Sequence, residues 1–450
     1  MADLLALAKR AVEVATAAGA EFADAEASES RGLSVSVEKS SLHSTSDRTT
    51  AGVSVRAIVG GASGFASDNR LTPEAAEEAA RRAVAAAKLA EPDPDFVRLP
   101  DPEPFEEVSG LFDPEVERLG VPALVEMVLS EVSGARGVDD RFIVQAGASS
   151  RAGRSAFANS RGVVHERSGT SLNASVFPTL RDGDEVGSFF DFDHARRLED
   201  FAPAGIGRSA AEEARRFLGA RAAPSATMPV VLGPLAASSL LGAVAGAAGG
   251  EDIQRGRSFL IGKLGERIAS EHITLVDDGL IPAGMGSGAL DGDGSVRHKV
   301  TIVKEGIFAS ELHSLYTAEK ARKLGDGRAC TGHGRRGGGV GPTNVIPTLG
   351  AKTAAEIIDE TGEGVYVNYG GVSPNRVTGE ISASVDFGFK IEGGKLAYPL
   401  KNTMIGVNVF DFLNAIDAVS SDARMEPGAV MPTIRARGVK VAGSAAPADG

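Results

Sequence analysis

Hydrophobic residues near the N-terminus first recur every three or four positions and then alternate with polar ones. The first set forms one helical stripe that Gly19 can end: Leu4, Leu7, Ala11, Val14 and Ala18. From residue 24 to 67 the alternation, as in LSVSVEK and AGVSVRAIVGG, predicts an antiparallel meander of short strands. A second helix is expected over residues 72–89, with Thr72 as N-cap and Pro73 as its first residue.

The same order of elements begins again after residues 91–110, a stretch rich in proline and acidic residues that predicts a linker. Pro122 opens a helix, alternation continues to residue 192, and AAEEARR (210–216) repeats the AAEEAARR of residues 75–82. Such surface residues also recur in helices by chance. The shared order nevertheless predicts an N-terminal α/β domain, residues 1–221, made of two helix-meander-helix halves.

The remaining chain, residues 222–450, is richer in glycine and predicts a predominantly β C-terminal domain, so that the fold class is α+β. The segment LLGAVAGAAGG (240–250) is expected to be a helix that packs closely against a neighbour. The other expected elements are strands between Ile273 and Ile307, a helix over His313–Lys323, a helix capped by Thr353 and Glu356 that ends near Gly362, a hairpin turn at Gly393-Gly394, a helix over Asn408–Val419 and a strand over Thr433–Val441.

Charge and cysteine content narrow the function classes. With 47 basic and 60 acidic residues the formal net charge is −13, which disfavours nucleic acid and anionic membrane surfaces as partners. Cys330 is the only cysteine, so no intrachain disulfide can form. The N-terminus is amphipathic rather than signal-like, and no run reaches the length of a membrane span. We therefore expect a cytoplasmic protein.

Two glycine-rich stretches contain partial ligand motifs. Gly332, Gly334 and Gly337 match GxGxxG, but a helix end precedes them and more glycines follow, which disfavours a nucleotide site and leaves a binding loop open. DGDGS (291–295) begins like a calcium loop but has Val296 and Ile302 where glycine and glutamate are required. A turn between strands is the better interpretation.

Metal and nucleophile signals are weak. Cys330, His333, His313 and Glu311 could be combined into a mixed metal site, but their spacing is loose and no second tight pair is present. A lone histidine among glycines is more often a hydrogen-bonding loop residue. No GxSxG elbow occurs. Residue chemistry alone therefore identifies no active site.

Several blocks resemble the TldD/PmbA family, also called the TldD/TldE metallopeptidases. They are LLGAVAGAAGGEDIQRGRSFL (240–260), LGERIASEHITLVDDGLIP (264–282), DGDGSVRHKVTIVKEGIF (291–308), ARKLGDGRACTGHGRR (321–336) and PTIRARGVKVAG (432–443). ANSRG (158–162) and the helix-first N-terminus are similar too. The resemblance implies an N-terminal α/β domain followed by a largely β C-terminal domain.

The catalytic members of that family carry HExxxH in the first of these blocks. In this chain the two histidines and the glutamate fall on Gly242, Ala247 and Ala243, which can neither bind zinc nor accept a proton. The family's cysteine ligand is also missing from MEPGAVMPTIR (425–435). The resemblance therefore implies the PmbA (TldE) branch, with no metal bound by this chain and zinc in a catalytic partner.

The expected function is that of a non-catalytic subunit of a TldD/TldE-type zinc peptidase that acts on unfolded or short peptides, including leader peptides and antidote proteins. Its partner would be a TldD-like homologue with HExxxH. For peptide contact we expect Thr331, Gly332, His333, Gly334, Arg335 and Arg336, because glycines there stand beside two cations. Two alternatives are a stand-alone homodimeric peptide-binding or scaffold protein, and a hydrolase with its site around His333, Arg335 and Arg336.

Overall fold

A computed structural model describes residues 2–323 and 331–443 of the chain. It combines helices with extensive strands, and the predicted α+β fold class is confirmed. We refer to residues 1–221 as the N-terminal region and to residues 222–450 as the C-terminal region, and the domain boundary between them stays a prediction.

The N-terminal region contains helix, strands and helix twice in succession. Its elements are α1 (Leu4–Ala17), β1 (Phe22–Glu38), β2 (Ser41–Val59), β3 (Ala62–Asp68), α2 (Pro73–Ala87), α3 (Pro114–Glu117), α4 (Val121–Arg136), β4 (Ile143–Asn159), β5 (Val164–Asp182), β6 (Glu185–Ser188), β7 (Asp191–Ala195), a 3₁₀ turn at Leu198–Asp200, and α5 (Ile206–Arg216). The expected N-cap is confirmed, since the Thr72 side chain accepts a hydrogen bond from the Ala75 amide at 3.2 Å.

These strands form an antiparallel sheet in the order β3-β2-β1-β4-β5-β6, with β7 also paired to β5. The two halves are joined at the centre, where β1 pairs with β4 from Asp24↔Asn159 to Val37↔Ala146. A single sheet therefore runs through both halves of the predicted repeat.

The helices cover one face of this sheet. Small side chains allow close approach: α1 and α2 bury alanines against Ala23, Ala25 and Ala27 of β1. Larger residues of α4 pack beside them in one cluster with Leu33 and Val35 of β1, and α5 packs on β5. Burial of these apolar groups stabilises the layer by about 0.8 kcal/mol per CH₂. The other face of the sheet is left for contacts with the C-terminal region.

The C-terminal region alternates short helices with strands. Its elements are β8 (Ala226–Leu232), α6 (Pro234–Ala247), α7 (Gly250–Gln254), β9 (Leu275–Asp278), β10 (Lys299–Lys304), β11 (Ile307–Phe308), α8 (Leu315–Lys323), β12 (Val345–Pro347), α9 (Ala354–Thr361), β13 (Gly364–Tyr369), β14 (Glu380–Ser384), β15 (Phe387–Glu392), β16 (Lys395–Pro399), β17 (Thr403–Asn408), α10 (Val409–Asn414), β18 (Ile416–Glu426) and β19 (Ala429–Gly443).

Two sheets of this region enclose its core. One has the order β14-β17-β19-β8-β13-β15-β16, with β18 also paired to β19, and the other has the order β11-β10-β9-β12. α6 lies in this core with Leu240, Leu241 and Val244 buried, as expected for LLGAVAGAAGG. Within residues 2–323 and 331–443, no helix is long and apolar enough to cross a membrane.

Several sequence-based predictions here are confirmed and one is wrong. Thr353 and Glu356 form the predicted capping box, and Gly393-Gly394 form the turn between β15 and β16. The helix expected over Asn408–Val419 ends at Asn414, and Ile416 already lies in β18. The error arises because Val409, Phe412, Leu413 and Ile416 fit a helical stripe, while Ile416 also starts the alternation of a strand.

Candidate functional site

The three positions that align with the zinc motif lie near the end of α6. A Cβ atom added at Gly242 would meet no heavy atom within 4 Å, so this position faces open space. Ala247 is 2% exposed, and its carbonyl oxygen accepts a hydrogen bond from the Ser258 hydroxyl at 2.6 Å. Positions five apart on an α-helix point about 140° away from each other. Gly242 and Ala247 accordingly face in different directions.

The residues at these positions do not fit a zinc ion. Gly242, Ala243 and Ala247 have no side-chain nitrogen, oxygen or sulfur. Within the described part of the chain, no three histidine, cysteine, aspartate or glutamate side chains are grouped to hold a metal. His313 and His333 each stand beside a different carboxylate, Glu311 at 3.3 Å and Asp277 at 2.9 Å. Cys330 lies outside the described residues.

The expected peptide-binding loop, Thr331–Arg336, is mostly buried. His333 is 2% exposed, and its Nε2 lies 2.9 Å from Asp277 Oδ2. Gly332 has a φ of 101°, and a Cβ there would lie 2.4 Å from the Val296 carbonyl oxygen. Gly334 is buried as well, whereas Thr331 is half-buried and Arg335 is exposed. Arg336 is half-buried too, so the loop presents Arg335 to solvent most, and Thr331 and Arg336 in part.

The DGDGS turn, residues 291–295, hydrogen bonds to this loop at Gly334. The Asp291 carboxylate accepts hydrogen bonds from the Asp293, Ser295 and Gly334 amides at 2.8–2.9 Å. Burial, together with the charge of Asp293, raises the pKa of Asp291 to about 6. Leu290 and Val296 form a β-bridge across the turn. The predicted turn is confirmed, and its first aspartate is committed to backbone amides.

Arg336 connects the loop to the N-terminal sheet. Its guanidinium lies 3.2 Å from Asp24 Oδ1 and hydrogen bonds to Ser54 of β2. Arg56 contacts the same Asp24 at 2.6 Å and reaches Asp293 at 3.3 Å. Asp24 is 1% exposed. This buried ion network joins the two regions, and the sequence offered no signal for it because its members are far apart along the chain.

A groove of about 850 Å³ lies between the helix-free face of the N-terminal sheet and a loop of the C-terminal region. Small residues from four strands line it: Ser28, Ser30, Gly52, Gly153, Ser155 and Gly169. Residues 287–290 and Arg297 form the facing wall. Its volume lies in the range typical of ligand sites.

The groove is charged as well as open. Arg167 pairs with Glu26 at 3.3 Å, and His165 Nε2 lies 3.0 Å from Glu107 Oε1. Thr331–Arg336 do not line it, although Arg336 contacts Ser54, which does. This groove was not predicted from the sequence. The available signal was the run of serine, threonine and glycine on alternating positions of strands β1, β2 and β4.

Comparison with protein families gives matches along most of the chain. The model of the PmbA/TldA metallopeptidase domain 1 matches residues 23–87, that of the central domain matches residues 114–218, and that of the C-terminal domain matches residues 225–443.

Individual relatives agree with these matches. A metalloprotease PmbA homologue of Haemophilus influenzae is 27% identical over 92% of this chain and 90% of its own length. A metalloprotease TldD homologue of Buchnera aphidicola is 29% identical over 47% of this chain and 44% of its own length. The crystal structure of TldE from Thermococcus kodakarensis has a TM-score of 0.87 and 25% identity, covering 97% of this chain and 99% of that chain.

Proposed function

The chain belongs to the PmbA/TldD metallopeptidase family, and we propose that it is the non-catalytic, metal-free subunit of a heteromeric TldD/TldE-type zinc peptidase. In this proposal the partner is a TldD-like homologue that carries HExxxH and holds the zinc. This chain shapes the chamber and binds the substrate, an unfolded or short peptide such as a leader peptide or an antidote protein.

The observation that carries the proposal is a family match along the chain combined with a donor-free motif. Gly242, Ala243 and Ala247 stand where the family motif places two imidazoles and a carboxylate. A zinc peptidase needs the imidazoles to hold the ion and the carboxylate to accept a proton from bound water. No side chain at these positions can do either.

The relatives support the branch assignment. The PmbA homologue aligns over 92% of this chain, whereas the TldD homologue aligns over 47%. The similarity to TldE extends over 97% of the chain. A chain that aligns with a PmbA homologue and with TldE over nearly its whole length, and with the TldD homologue over about half of it, is the expected candidate for the metal-free member of a pair.

Peptide binding is supported by the groove and by the free edge of β2. Strand β3 pairs only with residues 53–59 of β2, and among the described residues the same edge of Ser41–Gly52 has no partner strand. Thr50 and Gly52 of this edge line the groove. An extended peptide could therefore pair through main-chain groups, which every peptide sequence possesses.

The loop of Thr331–Arg336 keeps a smaller role in this proposal. Thr331 and Arg335 can contact peptide directly, because their side chains reach solvent. Gly332, His333 and Gly334 are buried, so they act by holding the loop in place. A hydrolase centred on His333 is disfavoured for the same reason.

The experiment is metal analysis and peptide cleavage with three samples: this chain alone, its HExxxH homologue alone, and the two co-purified. We expect zinc and cleavage in the co-purified sample and neither in this chain alone. Stoichiometric zinc with peptidase activity in the isolated chain would overturn the proposal. A stable homodimer that never associates with the homologue would instead support a stand-alone peptide-binding or scaffold protein.

A further inference from the structure

Three arginines from separate parts of the chain converge on the groove. Arg167 lies on β5, Arg196 directly follows β7, and Arg297 precedes β10 by two residues. Arg167 is close enough to the other two for its charge to act on both. Convergence of three guanidinium groups is unfavourable on its own, because like charges repel most strongly where water is partly excluded.

Arg167 pairs with Glu26, whose Oε2 lies 3.3 Å from its Nη2, whereas Arg196 and Arg297 donate to carbonyl oxygens. Arg196 donates to the carbonyl oxygens of Met285 at 2.6 Å and of Gly284 and Thr170 at 3.3 Å. Arg297 donates through Nε to the Leu290 carbonyl oxygen at 3.1 Å. Neither arginine forms an ion pair with a carboxylate among the described residues. Both Nη atoms of Arg297 therefore keep donors for a ligand.

Burial makes these two cations unusual. It lowers the pKa of Arg196 and of Arg297. At Arg297 the charges of Asp291 and Asp277 partly offset this lowering of the pKa, and the charge of Arg167 adds to it at both residues. An anion placed between the guanidinium groups would relieve this repulsion and would receive charge-assisted hydrogen bonds. The cluster therefore favours a negatively charged ligand group over a neutral one.

Glycines make room for the arginine side chains. A Cβ at Gly169 would lie 3.2 Å from Arg196 Nη1, and a Cβ at Gly279 would lie 2.9 Å from Arg297 Cδ. Larger residues at either position would displace the guanidinium groups from the groove. Glycine at these two positions therefore leaves the space that the two arginine side chains occupy.

The floor of the groove leads towards the cluster. Gly52, Ser28, Ser155 and Arg167 are successive partners across β2, β1, β4 and β5. Small side chains in such a row leave space for an extended ligand above the sheet. Glu26 and Glu107 also line the groove, and they would repel a polyanion such as an oligonucleotide. A ligand with one negative group fits this distribution.

We propose that the groove binds an extended peptide segment and that Arg167, Arg196 and Arg297 receive one carboxylate of it. The carboxylate can be the C-terminus of the peptide or a single acidic side chain. The proposal rests on the proposed function for the class of ligand, and it adds where the peptide lies and which charge is selected.

The test measures binding of short peptides to the full chain by fluorescence anisotropy with an uncharged dye. Three hexapeptides of alanine and serine are compared: one with an amidated C-terminus, one with a free C-terminus, and one amidated with an internal glutamate. We expect at least one acidic peptide to bind about tenfold more tightly than the neutral one. The tighter of the two acidic peptides identifies the source of the carboxylate.

Two substitutions locate the effect. Arg297→Gln should abolish the preference for the acidic peptide, because the Nη donors are lost. Arg151→Gln makes the same charge change elsewhere in the same groove, where Arg151 bonds to Ser30, and should preserve the preference. Thermal unfolding of both variants verifies that they are folded.

The inference is overturned if the three peptides bind equally or if the two variants lose the preference equally. It is also overturned if no peptide binds. The proposed function is tested separately by zinc content and cleavage in the co-purified complex. A complex that cleaves peptides without regard to their charge would remove the arginine site and leave the proposed function standing.

Discussion

The Nε2 atom of His333 lies 2.9 Å from Oδ2 of Asp277, and both side chains are almost completely buried. Thr343 donates to the same carboxylate through its amide and its hydroxyl, at 2.7 and 2.9 Å. The contact joins the glycine-rich loop to β9. A histidine that the sequence offered as a peptide contact thus serves to anchor the loop.

His333→Ala is expected to lower the free energy of unfolding by on the order of 1–3 kcal/mol, because a buried carboxylate loses one of its donors. Urea unfolding monitored by circular dichroism measures this change. The matched control is His298→Ala, since His298 is exposed and should have little effect. If His333 acted in catalysis instead, its substitution would abolish activity in the complex without a comparable loss of stability.

Arg56→Met should lower the free energy of unfolding more than His333→Ala does. Arg56 contacts Asp24 and Asp293, so its loss leaves two buried carboxylates with fewer partners. Removing one member of a buried ion pair typically costs about 3–5 kcal/mol. Arg48→Met lies on the same strand at an exposed position and provides the control. Equal unfolding midpoints for the two variants would show that the network contributes nothing.

The pKa of Asp291, raised to about 6 by burial, gives stability a pH dependence. The unfolded value is near 3.9. Because the folded pKa is the higher one, this group contributes fully below about pH 4, and its contribution is lost as the pH rises through about 6. Relative to Asp291→Asn, the wild type should therefore lose on the order of 1–3 kcal/mol between pH 4 and pH 7.

Urea unfolding at half-unit pH steps tests this difference for the wild type and Asp291→Asn. Asp184→Asn removes the same charge from an exposed turn and serves as the control. If the unfolding free energies of the wild type and Asp291→Asn stay parallel across the range, the raised pKa is not a feature of the folded protein.

Two helical glycines should respond in opposite ways to alanine. A Cβ at Gly207 would lie 2.0 Å from the Glu131 carbonyl oxygen, so Gly207→Ala forces α4 and α5 apart and should cost about 1–3 kcal/mol. A Cβ at Gly246 would meet nothing within 4 Å. Gly246→Ala should stabilise α6 by about 0.5–1 kcal/mol, because alanine has the higher helix propensity. If the melting temperatures of both variants change in the same direction relative to the wild type, the opposite effects expected from these Cβ contacts are wrong.

The periodic pattern predicted most helices and strands of this chain because local burial decides them. The predicted stripe of α4, for example, contains Leu124, Val128 and Val132, and all three are buried. Where two periods overlap, as at Ile416, the pattern could not decide between helix and strand. The groove could not be predicted from the sequence, because Arg167, Arg196 and Arg297 are brought together only by pairing of distant strands and by a loop of the other region. The spacing of these arginines along the chain does not indicate that they meet in the folded protein.

Restoring the zinc motif should fail in this chain. The substitutions are Gly242→His, Ala243→Glu and Ala247→His. In α6 as it stands, position 242 faces open space and position 247 faces the core, so the two imidazoles would not meet at one ion. Overpacking at position 247 should further cost about 1–3 kcal/mol.

We therefore expect substoichiometric zinc by elemental analysis and no peptide cleavage for the triple variant. Gly242→His alone should fold like the wild type, and Ala247→His alone should unfold at lower temperature. One zinc per chain with cleavage of peptides would mean that α6 distorts readily when ligands are present. In that case the three small residues would be the sole barrier to catalysis, rather than part of a core already built around their small side chains.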